Sequence, residues 1–575
     1  MKYLKLFLKE RKGKVVITLI MLLGQVVGTL LIPFLIAGII DNGILNGDIN
    51  EILRIGMQML LVLSITTVAA VLGSYYSSDL AAALGYEMRD KVFRKSQELS
   101  IHEFDSIGIS SLITRTTSDI SNLQQIFGLV LQLIVPAPLI IGVSIVMTAK
   151  ISLTLASILI ISIVIFLAFA GLMLRKSTFI SKRVQHKLDR INQVIRESIT
   201  GIRVIRAFGN EEYEEGRAKK AFKEYATDMI KLNKLFAILN PTIWLIVGLS
   251  MAIIVWLGGV FSMNGTMEIG QITAVIEYLI ITSSYLIFAT TTSVTLPKMI
   301  SCLNRIEEVL EINPKIQDLG IEKEYINGIH PVIEFENVSF YYPGAEEAII
   351  EDLSFTCNEG ETIAIIGSTG SGKSTIANLI LRLHEIDHGE IRINGINIRN
   401  FSQKELRNKV GYVPQKALLF SGTIEDNLRM GNKEASMEEI RRALNISQAE
   451  AFIDKLPMKL ESSVAQRGSN FSGGQKQRLS IARALVRKVP LYIFDDSFSA
   501  LDLKTDAALR KSLKENMPDT TKIIIAQRVS TIMDADKILV LDEGKLVGIG
   551  KHEELMKSCS VYQAIAKSQI NIKKD

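Results

Sequence analysis

Six stretches of this chain, residues 15–40, 55–78, 126–149, 151–174, 235–263 and 269–297, each exceed the roughly 20 apolar residues that a helix needs to cross a bilayer. Five contain no charged side chain, and the last contains only Glu277. A helix in a soluble core does not need such length without charge, so six membrane spans are expected. The 575 residues are also too many for one core, and a hydrophobic share of 48% fits a chain that lives partly in lipid. The first apolar run is about twice the length of a signal-peptide core and more spans follow it, so it is expected to stay in the mature protein. Lys2, Lys5, Lys9, Arg11, Lys12 and Lys14 all precede the first span, and 175–234 is again rich in Lys and Arg. Outward loops offer only Arg54 and Lys150. By the excess of cations on the inner side, both termini are expected in the cytoplasm and the protein in the plasma membrane.

The two long inward connections have helical periodicity instead of loop composition. Val184, Leu188, Ile191, Ile195, Ile199 and Ile202 recur at three- and four-residue spacing with charges between them. The spans are therefore expected to continue into the cytoplasm as helices. Their turns, near Phe104–Ser111 and Phe208–Tyr213, are the expected contacts for a soluble domain. Residues 1–305 form the expected membrane domain, 306–330 a charged linker broken by Pro314, and 331–575 the soluble domain.

In the soluble part, Gly367-Ser368-Thr369-Gly370-Ser371-Gly372-Lys373-Ser374-Thr375 follows the apolar run 362–366 and precedes a helical pattern. Strand, glycine-rich loop and helix in that order make a phosphate cradle. Backbone N–H groups and the positive end of the helix face the anion, Lys373 reaches the β- and γ-phosphates, and the Ser374 hydroxyl can ligate Mg²⁺. Downstream, Leu491-Tyr492-Ile493-Phe494-Asp495 is an apolar strand ending in a carboxylate, suited to hold Mg²⁺ through water. The soluble domain is thus expected to be an α/β nucleotide-binding domain that takes ATP and Mg.

Between these two motifs stands Phe471-Ser472-Gly473-Gly474-Gln475-Lys476-Gln477-Arg478. This octapeptide, in this order with the other two, resembles the signature of ATP-binding cassette (ABC) proteins. With six spans in front, the chain is similar to an exporter-type half-transporter over essentially its whole length. The resemblance implies an α-helical membrane domain, six transmembrane helices with long cytoplasmic extensions, fused to an α/β P-loop ABC nucleotide-binding domain. It further implies that Tyr342 stacks on adenine, that Gln415 is the Q-loop glutamine near Mg²⁺, and that Ser499–Asp502 form the D-loop. Glu197–Phe208, and Arg115 with Asp119, resemble the family's second and first intracellular loops. Ser472, Gly473, Gly474 and Gln475 would form a second anion cradle that closes over ATP held by an opposing subunit.

Two positions depart from the family pattern. The glutamate that usually follows the strand aspartate is Asp496, and the usual switch histidine is Gln527. An aspartate withdraws the carboxylate by one methylene, about 1.5 Å, and a ~1 Å misplacement can cost ~100-fold in rate. An amide donates a hydrogen bond but does not titrate. A chain that binds ATP, hydrolyses it slowly, and lends an intact signature to a second half-transporter is the leading expectation. Its function would be ATP-driven export of a small amphiphilic molecule. A slow homodimer, a nucleotide-gated channel or regulatory subunit, and an importer remain alternatives.

Expected partners are a second half-transporter, the lipid bilayer and a small-molecule substrate, with no nucleic acid. Glu277, inside a span, is the candidate substrate contact, since an intramembrane carboxylate commonly faces a cavity; a wet interface is the alternative. Gln25, Gln132, Ser283 and Ser284 are candidates for the same cavity or for bonds between helices, and Pro33, Pro136, Pro138 and Pro241 for kinks. Cys302, Cys357 and Cys559 show no metal-like or paired spacing.

Overall fold

The computed structural model describes residues 2–318 and 330–571, so part of the expected linker, 319–329, lies outside the described residues. The chain divides into two compact units. One comprises the residues up to Gln97 together with Gly108–Ile312, and the other Glu98–Ile107 together with Asn313 onward.

In the first unit, helices α1 (Lys12–Gly38) and α2 (Ile49–Glu98) are joined through a π-helical turn, Ile39–Ile44. Next come the short helix α3 (Ile101–Ile107), which groups with the second unit, and a third span that reaches α4 (Pro136–Ile151) through π-helical turns at Arg115–Asp119 and Val130–Ile134. Then follow α5 (Leu153–Thr200), α6 (Ile202–Phe208), α7 (Glu211–Met263), α8 (Ile269–Ser293) and α9 (Leu296–Glu311). Six helical stretches among the described residues have the length and hydropathy to cross a membrane.

The extensions beyond the spans are helical, as the periodicity required. The pair α5 and α7 is buried at its apolar end through Leu155, Leu159, Ile163, Ile243, Val247 and Ile254. Farther along, where lipid burial no longer helps, ion pairs take over: Arg183 with Asp228 at 3.3 Å, Lys187 with Glu224, and Arg217 with Glu197. Ile65, Val68, Ile161, Val164 and Trp256 remain exposed, as side chains facing lipid should. Arg115 and Asp119 lie within the third helical stretch instead of a loop. Asp119 accepts two bonds from Arg305 of α9, at 2.7 and 2.6 Å, and Arg115 pairs with Glu308 at 2.9 Å. This pairing across a long sequence separation could not be read from spacing.

The second unit has two large sheets and a two-stranded ribbon that pairs Gly422–Thr423 with Ser463–Val464. An antiparallel one runs β2 (Ile350–Cys357), β1 (Ile333–Phe340), β4 (His388–Ile393), β5 (Ile396–Asn397). The other has six strands in the order β10-β9-β3-β8-β7-β6 and surrounds β3 (Thr362–Gly367). Its remaining members are β6 (Val410–Val413), β7 (Leu491–Asp495), β8 (Thr521–Ile525), β9 (Lys537–Asp542) and β10 (Lys545–Gly550). Ile363 to Ile366 and all of β7 and β8 are buried, the continuous apolar pattern of parallel strands covered on both faces. Register places Ile525 beside both Asp495 and Ile365. The loops after β3, β7 and β8 thus emerge together at the carboxyl end of the sheet, where α/β folds place their ligands.

Glu103 on α3 accepts bonds from the backbone of Ser100 at 2.9 Å and of Lys315 at 3.2 Å, and from the Ser100 hydroxyl. Burial raises its carboxyl, but these donors outweigh it and hold the group below the ordinary glutamate value. The turn after the second span is thereby fastened to the start of the second unit's main segment. At the second turn, Phe208 and Tyr213 are 75% and 72% exposed, and no residue of α6 is buried.

Candidate nucleotide-binding site

The phosphate loop runs from the end of β3 into α10 (Lys373–Ile380). Gly370 and Gly372 have φ of +88° and +89°, a region that an L side chain enters only with strain. At Gly372 a Cβ would also meet the Ile349 carbonyl at 2.6 Å, and at Gly367 the Leu541 carbonyl at 2.2 Å. Lys373, 9% exposed, donates from Nζ to the carbonyls of Gly367 at 3.0 Å and Ser368 at 2.6 Å. Burial pulls its ammonium below the ordinary lysine value, and the charges of Asp496 and Asp495 oppose that shift. An ammonium held among loop carbonyls at a helix N-terminus suits a phosphate chain, which offers it better acceptors.

Ser374 Oγ donates to Asp495 Oδ1 at 2.8 Å. These adjoining oxygens are the donor set expected for a hard cation such as Mg²⁺. Burial, reinforced by the neighbouring charge of Asp496, pushes the Asp495 carboxyl up, and the bond from Ser374 pulls it back. Tyr412 donates its hydroxyl to the other Asp495 oxygen at 3.4 Å. Tyr412 thus belongs to this site, and no sequence motif marked it.

Asp496 stands at φ 46° immediately past β7, its N–H bonded to the Ile525 carbonyl at 2.9 Å. Its single oxygen Oδ2 accepts from Gln415 Nε2 at 3.1 Å and from Gln527 Nε2 at 3.0 Å. Asp496, Gln527 and the Q-loop candidate Gln415 therefore form one knot, with the two positions read as departures from the family pattern in direct contact. Asp496 is 8% exposed, so both amide bonds form in a poorly solvated place.

Tyr342 bonds Thr375 at 3.3 Å through its hydroxyl and meets the His384 ring edge-on, with 5.4 Å between centroids. Burial lowers His384 from its ordinary value, with His102 adding to the shift. His384 had no assigned role in the sequence; the ring that supports Tyr342 is 42 positions away and no local pattern marks it. A cleft of about 370 Å³ opens here, lined by Tyr342, His384, Pro343 and, from α3, His102. A larger basin of about 650 Å³ near Lys404, Lys433 and Lys488 contains none of the nucleotide motifs.

Ser472 caps helix α11 (Gly473–Leu485): its Oγ accepts from Gln475 N–H at 3.3 Å, and Gln475 Oε1 accepts from Ser472 N–H at 2.9 Å. This reciprocal capping holds the turn open. Nothing lies within 4 Å of where a Gly473 Cβ would stand. Among the described residues no hydrogen bond joins Ser472–Gln475 to the phosphate loop. Between them, Ser499 donates to the Asp496 carbonyl at 2.8 Å and Asp502 caps α12 (Leu503–Asn516).

Residues 15–286 match the ABC transporter transmembrane region and residues 350–499 the ABC transporter domain. YfiB, an ABC transporter ATP-binding protein of Bacillus subtilis, is 35% identical over 563 residues, covering 98% of this chain and 97% of that protein. YgaD of the same organism, whose name places it in multidrug export, is 31% identical over 580 residues, covering 98% of each chain. A bacterial Atm1-family ABC exporter with ATP bound superimposes with a TM-score of 0.81 at 26% identity, over 97% of this chain and 98% of the other. With the phosphate loop, the carboxylate strand and the signature folded as described behind six apolar helices, this chain belongs to the ABC transporter family, as an exporter-type half-transporter that spans the membrane and binds ATP.

Proposed function

We propose that this chain is the degenerate-site half of a heterodimeric exporter in the plasma membrane, with both termini cytoplasmic. The knot at Asp496 carries the reading. A carboxylate one methylene short of the family's glutamate, with one oxygen already accepting two amides, is poorly placed to orient and polarise a water. Gln527 donates a hydrogen bond but cannot become a cation. Tyr342, Lys373, Ser374 and Asp495 meanwhile supply a complete set for holding ATP with Mg. When bound, the nucleotide supplies the phosphoryl group whose transfer to water drives an ABC cycle. Here the chain's own residues stack, neutralise and retain it, with hydrolysis slow.

Ser472–Gln475 are unimpaired, so this chain can complete a competent site on a partner that has its own glutamate and histidine. Transport of a small amphiphilic molecule is supported by the resemblance to YgaD. Glu277, half-buried on α8, is the side chain proposed to meet a cationic substrate. The test is to purify the chain alone and together with a half-transporter carrying Glu and His at the two positions, and to compare ATPase rates. Slow turnover alone and fast turnover together is the expected result. Fast turnover by the lone chain contradicts the reading and favours a homodimer.

A further inference from the structure

We infer that Gln569, on the C-terminal helix, is a positioning residue for the switch segment of this chain's ATP site. The inference rests on the proposed function, read to mean that Gln527, at the family's switch position, turns its amide toward the terminal phosphate of bound ATP. Helix α14 (Ser560–Asn571) is seated by Tyr562, fully buried, and Ala566, 2% exposed, in the core of the soluble unit. The Tyr562 hydroxyl meets His552 Nδ1 at 2.7 Å, which fixes the start of the helix. Positions 562, 566 and 569 are spaced by four and three, so they share one face. Seating the first two therefore brings Gln569 to the segment that follows β8.

There its amide is used at both ends. Gln569 Oε1 accepts from Val529 N–H at 2.8 Å, and Gln569 Nε2 donates to the Gln527 carbonyl at 2.7 Å. Val529 begins α13 (Val529–Ile532), a single turn whose cap position is Arg528, a residue with no side-chain acceptor to offer. Gln569 supplies from a distant helix the acceptor that the local sequence lacks. The two bonds clamp the backbone on both sides of Arg528. With its backbone held, Gln527 extends its own amide to Asp496 Oδ2, which also accepts from Gln415. A continuous run of side chains thus leads from the C-terminal helix through the switch position to the Q-loop.

A clamp of this kind makes a prediction that simple helix packing does not. If Gln569 sets the reach of Gln527, its loss weakens ATP, which has a γ-phosphate, and spares ADP, which does not. Equilibrium binding of MgATP and MgADP is to be measured by displacement of a fluorescent ATP analogue from the purified full-length chain. For Gln569→Met, which keeps the unbranched shape and helix propensity, ATP affinity is expected to fall about two- to tenfold, the range of one net hydrogen bond. ADP affinity should stay within about twofold on the same scale. Gln527→Ala should give the same selective loss, and the double variant no more than either alone, because one residue acts through the other.

A parallel fall in ADP binding would mean that the helix merely holds the domain together, and would overturn the inference. Independent losses that multiply in the double variant would overturn it too. Selective loss in Gln527→Ala with none in Gln569→Met would sink the role of Gln569 while leaving the reading of Gln527 standing. If Gln527→Ala itself leaves the preference for ATP unchanged, the inference falls with that reading.

Discussion

Asp496 and Gln527 differ from the family pattern by one methylene and one ring, and both changes were legible in the sequence because motif order fixes their positions. What the sequence did not show is that they touch. Asp496 Oδ2 takes the amides of Gln415 and Gln527 together, residues separated by 81 and 31 positions from the aspartate. Such a contact depends on the parallel register that sets Asp495 beside Ile525. His384 behind Tyr342, Tyr412 beneath Asp495 and Gln569 behind Gln527 were likewise hidden, since none lies in a local pattern. If shortness of the carboxylate and lack of a titratable switch together limit hydrolysis, restoring both should release it. The double variant Asp496→Glu with Gln527→His is expected to raise the ATPase of the purified chain about 100-fold, the scale attached to a ~1 Å misplacement. Each single variant should give less, since each restores only one of the two groups. Steady-state phosphate release is the measurement.

At the scale of elements, apolar length without charge predicted the six spans, and 3.6-residue spacing predicted their helical continuation, because that spacing survives whether lipid or protein covers the face. It did not predict the π-helical turns, which depend on tertiary contacts. The turn Ile39–Ile44 presents buried Asp41, whose Oδ1 accepts the Gly270 N–H at 2.6 Å at the start of α8. Here glycine is required by proximity. A Cβ at Gly270 would meet the Ala37 carbonyl at 2.4 Å and Asp41 Oδ2 at 2.6 Å, both fixed by packing. Gly270→Ala is therefore expected to destabilise the membrane unit by about 1–3 kcal/mol, the usual cost of overpacking. Gly248→Ala is the matched control, because nothing lies within 4 Å of its added methyl. Thermal unfolding in detergent should show a lower midpoint for the first variant and little change for the second.

For the whole molecule, fold class followed from two independent features, long charge-free helices and a phosphate loop set between strand and helix. Each excludes most alternatives alone, and together they leave a membrane transporter powered by a nucleotide. Less legible was how the turns beyond the spans are held. Glu103 fastens the turn after the second span to the backbone of Lys315, while the turn after the fourth presents Phe208 and Tyr213 in the open. The signature is similarly exposed at Ser472 and Gly473, and among the described residues no hydrogen bond joins it to the phosphate loop of its own chain. On the proposed reading, one cradle keeps ATP and the other is offered elsewhere, which would make the half-transporter asymmetric.

The most direct measurement of that asymmetry is the chemical state of the nucleotide that the chain retains. The purified full-length chain is to be incubated with Mg²⁺ and ATP labelled at the α-phosphate, freed rapidly of unbound nucleotide, and the bound fraction resolved into ATP and ADP over time. The account predicts that intact ATP dominates long after a competent ABC site would have turned over, and that Asp496→Gln leaves this unchanged. Rapid conversion of the bound nucleotide to ADP, abolished by Asp496→Gln, would contradict it.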